Sequence, residues 1–223
     1  MNRVYVVAEG LTEEFFVANV LAPALWPNHL YLRPILIGKK GGNPTYARLK
    51  KDVVAQLKQD TSAYCSTMLD LHGLGEDFPG RPFPLNLSSA EKALRVERAV
   101  KEDIVQAVPN LRADVRFLPY LQLHEFEGLL FSDPAAFARG IYAPHLAGPF
   151  DEIRRRFDTP EDINDGPETA PSKRVIQLHP AYRKPLYGTL AALEVGIATM
   201  RRECPHFREW VTRLEAIGHG EVS

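Results

Sequence analysis

The chain has 223 residues, of which 45% are hydrophobic and 25% are charged, as in an ordinary globular protein. Its formal net charge of −1 excludes a strong overall positive field, so nucleic acid would have to bind at a local basic patch. No apolar stretch approaches the roughly 18 residues that span a membrane, so we expect no membrane partner. Two cysteines, Cys65 and Cys204, do not make a disulfide framework, and we expect a cytoplasmic protein.

The first 120 residues alternate between short apolar runs and amphipathic segments. The apolar runs predict strands at residues 4–8, 31–37, 66–71 and 115–118. Apolar spacing and capping residues predict helices from Thr12 to Pro27, from Thr45 to Gln59, and from the Ser88 capping box to Val108. This order is typical of an α/β fold with a mostly parallel sheet flanked by helices.

The rhythm changes after Tyr120. Residues 121–131 (LQLHEFEGLLF) are predicted to be a strand that turns into a helix, and residues 158–173 are predicted to be loop because Pro, Gly and acidic residues dominate them. A helical part is predicted over residues 184–217, with a break near Pro205. We therefore expect an α/β core over residues 1–120 and a helical and loop extension over residues 121–223, packed on that core.

Acidic residues stand where the predicted strands end. Glu9 follows the first strand, Asp70 ends the third, and Glu13 lies four residues beyond Glu9. Because ligands of an open parallel sheet gather beyond the carboxyl ends of its strands, we expect these side chains to converge. Glu125 and Glu127 form a second acidic pair that joins them if the chain folds back. Oxygen ligands of this kind suit Mg²⁺ or Mn²⁺, and two such ions would support phosphoryl transfer.

Each of these acids also has a structural interpretation. Glu13, with its neighbour Glu14, would complement the dipole of the helix that follows. Asp70 would cap a turn at the end of its strand, and at least one of Glu125 and Glu127 would be a solvated helix residue. A zinc site and a serine-based triad have little support, because the sequence has neither a CxxC or HxxxH spacing nor a GxSxG motif.

Several segments spread over the chain resemble a known family. They are VAEGLTEEFF, MLDLHGLGEDFPG, LQLHEFEGLLFSD, PEDINDGPETAPSKR, YRKPLYG and CPHFREW. Together they resemble an uncharacterised prokaryotic family of Toprim-like proteins, often encoded near phage-defence systems. That family is related to the Toprim domains of topoisomerases, primases and overcoming-lysogenization-defect nucleases. The resemblance implies a Toprim-like α/β core and an Mg²⁺-dependent nuclease, although the family's own activity is not established.

The resemblance also implies roles for individual residues. Glu9 matches the Toprim glutamate, which serves as general acid/base or metal ligand, and Glu13 resembles an extra acid of the nuclease branch. Asp70 matches the first Asp of the DxD motif, and His72 stands in place of the second. An imidazole is a poorer Mg²⁺ ligand than a carboxylate, so His72 favours Mn²⁺ or a single metal ion. Glu125 or Glu127 would supply the lost carboxylate.

Basic residues form clusters that would hold phosphates. Lys39 and Lys40 lie in a Gly-rich segment, GKKGGN, which has the composition of an anion nest but not of an ATP-binding P-loop. Further candidates for phosphate or nucleic-acid binding are Lys173, Arg174, Arg183 and Lys184. Lys173 or Lys184 would stabilise the transition-state charge. The alternative for the Lys173 segment is a loop held by salt bridges of Asp165 and Glu168.

Two classes of function follow. The first is a divalent-metal-dependent nuclease or related phosphoesterase. The second is a non-catalytic module that binds nucleic acid, a nucleotide, a partner ATPase or another defence protein. His72 in place of an Asp and the near-neutral charge favour the second class. The sequence does not distinguish DNA, RNA and nucleotide substrates.

Overall fold

The computed structural model describes residues 2–164 and 169–220 of the chain, and it has a sheet of five strands. The strands are β1 (Asn2–Ala8), β2 (Leu30–Leu36), β3 (Tyr64–Asp70), β4 (Phe117–Leu118) and β5 (Leu121–Gln122). Their order is β2-β1-β3-β4, and β5 pairs with the carboxyl end of β3. Every one of these pairings is parallel, so the predicted α/β class with a mostly parallel sheet is confirmed.

Twelve α-helices surround the sheet in the described residues. They are α1 (Leu11–Phe16), α2 (Ala22–Leu25), α3 (Tyr46–Gln59), α4 (Ser89–Ala107), α5 (Ala113–Arg116), α6 (Glu127–Leu130), α7 (Pro134–Gly140), α8 (Ala147–Arg154), α9 (Pro171–Leu178), α10 (Lys184–Val195), α11 (Ile197–Glu203) and α12 (Pro205–His219). A π-helical segment, Val17–Leu21, joins α1 to α2. None of the described helices is long and apolar enough to cross a membrane.

The predicted helix ends are confirmed where a side chain caps the helix. Thr45 caps α3 by accepting a hydrogen bond from Arg48 N, and Ser88 and Glu91 form the predicted capping box of α4. The predicted cap at Thr12 is wrong, because α1 begins one residue earlier and Gly10 is its N-cap. The Glu13 carboxylate accepts a hydrogen bond from Gly10 N, so the acid itself closes this helix end.

The fourth strand is shorter than predicted because the residues before it are helical. Val115 and Arg116 belong to α5 instead of β4. The buried Arg116 guanidinium donates to the carbonyls of Ala63, Leu57 and Asp60, and this ties the segment to the start of β3. These three carbonyls need a hydrogen-bond donor, and Arg116 meets them only in the folded protein. The apolar run at residues 115–118 could not predict this contact.

Beyond residue 120 the helices are more numerous than predicted. The strand and helix predicted over residues 121–131 are confirmed as β5 and α6, and the long helical part is confirmed as α10, α11 and α12. Helices α7, α8 and α9 were not predicted, and the predicted loop is wrong at its end because α9 begins at Pro171. Asp165 and Glu168 lie outside the described residues.

Two hydrophobic cores lie on the two faces of the sheet. Successive residues of β3 point to opposite faces, so Met68 packs in one core and Leu69 in the other. The Met68 core contains residues of α1 and of the helices α6 to α12, whereas α3, α4 and α5 line the Leu69 core. The predicted division at residue 120 stays a prediction, and residues from both parts share the Met68 core.

Candidate functional site

Glu9 joins the ends of the two central strands. It follows β1 directly, and its Oε2 accepts a hydrogen bond of 2.9 Å from Asp70 N at the end of β3. Gly73 lies so near that a Cβ there would be 3.2 Å from Glu9 Oε1. Burial raises the pKa of Glu9, while the Asp70 N–H and Lys184 act against the rise.

Glu13 lies buried beside Glu9, in the first turn of α1. Its Oε2 accepts a hydrogen bond of 3.0 Å from Gly10 N. Burial raises its pKa to about 7, and the negative charges of Glu9 and Glu127 add to the rise. The interpretation of Glu13 as a simple partner of the helix dipole is therefore incomplete, since neighbouring carboxylates destabilise its charged form.

Asp70 has a buried oxygen without a partner. Its Oδ1 is enclosed and accepts no hydrogen bond from a described residue. Burial raises the pKa of Asp70 well above its usual range, and the carboxylates of Glu13, Glu9, Glu127 and Glu125 raise it further. The interpretation of Asp70 as a turn cap receives no support from this arrangement, because its carboxylate makes no capping hydrogen bond.

Gln122 stands beside Asp70 on the neighbouring strand. The two residues are register partners in the β3–β5 pair, so their side chains lie on the same face of the sheet. The Tyr120 hydroxyl donates to Gln122 Oε1 over 2.6 Å, and the buried Gln122 Nε2 has no acceptor among the described residues. A buried donor and a buried acceptor are therefore both unpartnered at this end of the sheet.

The second acidic pair holds a lysine from the C-terminal part of the chain. Lys184 Nζ lies 3.0 Å from Glu125 Oε1 and 3.4 Å from Glu127 Oε2. Glu127 is 1% exposed, so the interpretation as a solvated residue is wrong for it, and Tyr182 donates a hydrogen bond to its Oε1. Glu125 also accepts a hydrogen bond from Ser172 N, at the start of α9.

The two carboxyls of this pair respond differently to their surroundings. Burial would raise the pKa of Glu125, but Lys184 and Ser172 outweigh it and the pKa is lowered. Burial does raise the pKa of Glu127, against the effect of Lys184. Burial lowers the pKa of Lys184, yet the two glutamates outweigh it and raise the pKa above the usual range. We call Glu9, Glu13, Asp70, Glu125, Glu127 and Lys184 the acidic site.

A divalent cation would fit the chemistry of the acidic site. The ligand atoms are carboxylate oxygens, which Mg²⁺ and Mn²⁺ prefer, and Asp70 Oδ1 is a buried acceptor to which no described residue donates. Across residues 2–164 and 169–220, no three His, Cys, Asp or Glu side chains form a preformed metal cage. A metal ion would require these carboxylates to turn, because Glu9 and Glu13 accept backbone hydrogen bonds and Lys184 holds Glu125 and Glu127.

The His72 imidazole makes no hydrogen bond or ion pair with these carboxylates among the described residues. It stacks on that of His124, with ring centroids 4.8 Å apart and planes 10° from parallel. Burial lowers the pKa of His72, and the cations that lower it further are Lys92 and Arg81. A metal ion is repelled by such neighbours, so this placement favours a role other than metal binding.

Residues 8–215 of the chain match a family described as "Domain of unknown function (DUF4276)". The chain belongs to this family. No curated protein and no solved structure matches it. The match includes every residue of the acidic site, and the description of the DUF4276 family names no activity, so its function has to be argued from the site itself.

The other basic residues predicted for this DUF4276 chain are not brought into the acidic site. Lys173 and Arg183 are exposed and have no contact with its carboxylates, and Arg174 donates to Thr169 O and lies over the Phe157 ring. Lys39 and Lys40 are exposed. The Gly-rich segment that carries them packs against the end of β1, where Gly42 N donates to Glu9 O.

The anion nest predicted in the Gly-rich segment is not formed by its glycines. Gly41 N donates to Ile37 O and Gly42 N donates to Glu9 O, so neither N–H is available to an anion. Gly41 has a φ of +72°, and a Cβ there would lie 2.9 Å from Glu9 O. The segment therefore uses glycine to approach the backbone beside the acidic site.

Three polar residues at the site were not assigned to it from the sequence. Gln122, His124 and Tyr182 are all buried. Gln122 and His124 alternate with leucines in LQLHEFEG, and polar residues at alternate positions of an apolar segment were the available signal. Nothing local marks Tyr182, whose hydroxyl reaches Glu127 across 55 residues of sequence.

Proposed function

We propose that this DUF4276 chain is a divalent-metal-dependent nuclease, which hydrolyses phosphodiesters of nucleic acid with Mg²⁺ or Mn²⁺. The observation that carries the proposal is the convergence of five carboxylates at the carboxyl end of a parallel sheet, with one lysine in contact with two of them. This is the edge of an open α/β sheet where ligands bind.

The acidic site is costly for a protein that binds no cation. Buried carboxylates that repel one another destabilise the fold at neutral pH, as the raised pKa values of Glu13 and Asp70 indicate. A structural site would give each oxygen a hydrogen-bond donor, whereas Asp70 Oδ1 has none among the described residues. A bound cation would remove both costs, and this supports a metal-dependent activity over a purely structural role.

The roles of the residues follow from their positions. A bound divalent ion would supply charge to the phosphodiester and lower the pKa of a water molecule. Asp70, Glu9, Glu125 and Glu127 would provide oxygen ligands. Glu13, with its pKa of about 7 without a cation, is suited to give or take a proton near neutral pH. Lys184 is the cation next to this site and would stabilise negative charge on the phosphate.

Calorimetric titration with Mn²⁺ and Mg²⁺ tests the proposal. We expect saturable binding to the wild-type protein and none to the Glu9→Gln, Asp70→Asn double variant. Both substitutions keep the shape of the side chain, and both remove a negative charge from the buried site. Glu152→Gln is the matched control, because Glu152 is exposed and belongs to α8. Labelled DNA and RNA would then be cleaved by the wild type and the control, but not by the double variant.

The proposal is wrong if the wild type binds neither ion up to millimolar concentration, alone or with an oligonucleotide present. It is also wrong if the double variant binds and cleaves like the wild type. Circular dichroism of the double variant shows whether a loss of binding reflects a loss of the fold.

A non-catalytic binding module is the second candidate. The observation that favours it is Lys184, which already neutralises Glu125 and Glu127, together with the lack of a preformed metal cage in the described part of the chain. A module of this kind would keep its affinity for nucleic acid or a partner protein after Glu9→Gln. A nuclease would lose cleavage after the same change.

The Toprim-like relationship, a role in phage defence and a partner ATPase belong to this proposal as well. What supports them is the resemblance of the sequence segments described above. A further support is that Glu9 and Asp70, two residues that carry the resemblance, lie at neighbouring strand ends and share a hydrogen bond.

A further inference from the structure

A pair of stacked histidines borders the acidic site. His124 is 6% exposed, and its ring is held by two contacts, one between Nδ1 and Asn164 Nδ2 at 3.1 Å and one between Nε2 and Ser89 Oγ at 3.4 Å. His72 is exposed and lies flat on the His124 ring. The stack on His124 covers one face of the His72 ring, and the side chain is otherwise exposed to solvent.

Two cations flank the stacked pair. Lys92 and Arg81 are the charged groups that act on His72, and both lie over the ring of Phe83, at 5.8 Å and 5.0 Å from its centroid. Arg81 also donates to Leu74 O and pairs with the exposed Glu76. Lys92 has no ion pair with a described residue. The surroundings of His72 are therefore aromatic and positive, unlike the acidic site next to it.

The stacked pair and the acidic site are close along the chain. His72 is two residues beyond Asp70, and Gly73 directly follows it and lies beside Glu9 Oε1. His124 directly precedes Glu125. The backbone next to His72 thus lies beside the Glu9 carboxylate, so one strand could contact both His72 and the acidic site.

We propose that the open face of His72 stacks on an unpaired base of a single-stranded nucleic acid whose backbone enters the acidic site. This inference rests on the proposed nuclease function and names its substrate class. Aromatic side chains, histidine included, stack on unpaired bases, and a nearby cation contacts the phosphates. We call this exposed face of His72 the stacking platform. A base inside a duplex is already stacked on both faces, so the stacking platform selects single strands.

The resemblance implies another role for His72, that of a metal ligand. The two roles predict different results for an aromatic replacement. Phenylalanine keeps a flat ring but has no nitrogen to bind a metal ion, whereas alanine has neither. His72 is exposed and makes no hydrogen bond to a described residue, so its stack on the buried His124 is the contact that alanine loses and that phenylalanine keeps.

Fluorescence anisotropy with labelled oligonucleotides in EDTA tests the platform without the metal. The probes are single-stranded DNA, single-stranded RNA and duplex DNA, each of about 16 nucleotides. We expect the wild type to bind a single strand more tightly than the duplex. His72→Ala should weaken this binding about 5- to 150-fold, the usual range for losing one stacked base. His72→Phe should retain most of it, and His145→Ala, at an exposed site in Pro144–Leu146, should not change it.

The outcomes separate this inference from the proposed function. If the wild type binds no single strand, or if His72→Ala binds like the wild type, the platform is overturned whatever the cleavage assays show. Loss of binding in both His72→Ala and His72→Phe also overturns it. If binding follows the platform but Mn²⁺ produces no cleavage, the stacking site stands and the nuclease proposal fails.

Discussion

Buried carboxylates occur in two regions of this protein, and their surroundings differ. Near the start of α12, Glu161 is 2% exposed, and its two oxygens accept hydrogen bonds from His206 N and Phe207 N. Glu97 accepts hydrogen bonds from Leu121 N and pairs with His206 Nε2 at 3.0 Å. In the acidic site, by contrast, several carboxylates lie near one another, and within residues 2–164 and 169–220 Asp70 Oδ1 has no donor.

The difference separates a structural use of carboxylates from a functional one. Around Glu161 and Glu97, each carboxylate has its own donors, and these hydrogen bonds hold the helix start and the sheet end together, although burial still raises the pKa of Glu161. In the acidic site the carboxylates outnumber their hydrogen-bond donors among the described residues. Their mutual repulsion serves no structural purpose there. Three substitutions test this difference. They are described in decreasing order of their expected effect on the free energy of unfolding.

The largest effect is expected for Glu161→Leu. Two backbone N–H groups at the start of α12 lose their charged acceptors, and we expect the free energy of unfolding to fall by about 2–4 kcal/mol. Urea unfolding at pH 7 measures this. Glu161→Gln, which keeps one acceptor, should cost less than Glu161→Leu. An unchanged urea midpoint for Glu161→Leu would remove the distinction between the two regions.

The next effect is expected for Lys184→Met, which removes the cation of the acidic site. Glu127 is buried and would lose its charged partner, so we expect the free energy of unfolding at pH 8 to fall by about 2 kcal/mol. This is below the usual cost of breaking a fully buried pair, because Lys184 is partly exposed to solvent. Mn²⁺ should restore most of the loss in this variant, measured by thermal unfolding with and without the ion. A loss that Mn²⁺ does not restore would count against a cation site.

The smallest effect is expected for Glu13→Gln, and its sign is opposite. The pKa of Glu13 is raised to about 7 from its ordinary value of 4.5, so between these values the folded protein binds more protons than the unfolded chain. The stability that this proton contributes is present below pH 4.5 and is lost as the pH rises through 7. We expect Glu13→Gln to raise the free energy of unfolding at pH 8 by about 1–2 kcal/mol in EDTA, because it removes a buried charge.

Urea unfolding at pH 5 and pH 8 measures this effect. The gain from Glu13→Gln should be smaller at pH 5, where the wild-type carboxyl is largely protonated. Glu152→Gln, in an exposed position, should not alter the dependence on pH. Equal effects of Glu13→Gln at both pH values would mean that the carboxyl is not under strain in the folded protein.

Much of the α/β part could be predicted because its signals are local. A Val-rich run predicted β1, a partly apolar run at residues 66–71 predicted β3, and the Ser88 capping box predicted the start of α4 within one residue. The short helices α7 and α9 begin with a proline, Pro134 and Pro171. Proline at the first helical position is favourable, so a residue taken as a helix breaker marked a helix start instead.

Local apolar runs in the sequence were enough to predict where β1 and β3 end. They therefore also predicted that Glu9 and Asp70 lie at the carboxyl edge of the sheet. The sequence did not determine their partners. Lys184 meets Glu125 across 59 residues, and His206 meets Glu97 across 109. No periodicity or capping pattern encodes contacts over such distances, because they depend on how the extension folds back onto the sheet. Only that packing decided that Glu161 and Glu97 receive hydrogen-bond donors, whereas the carboxylates of the acidic site lie next to one another.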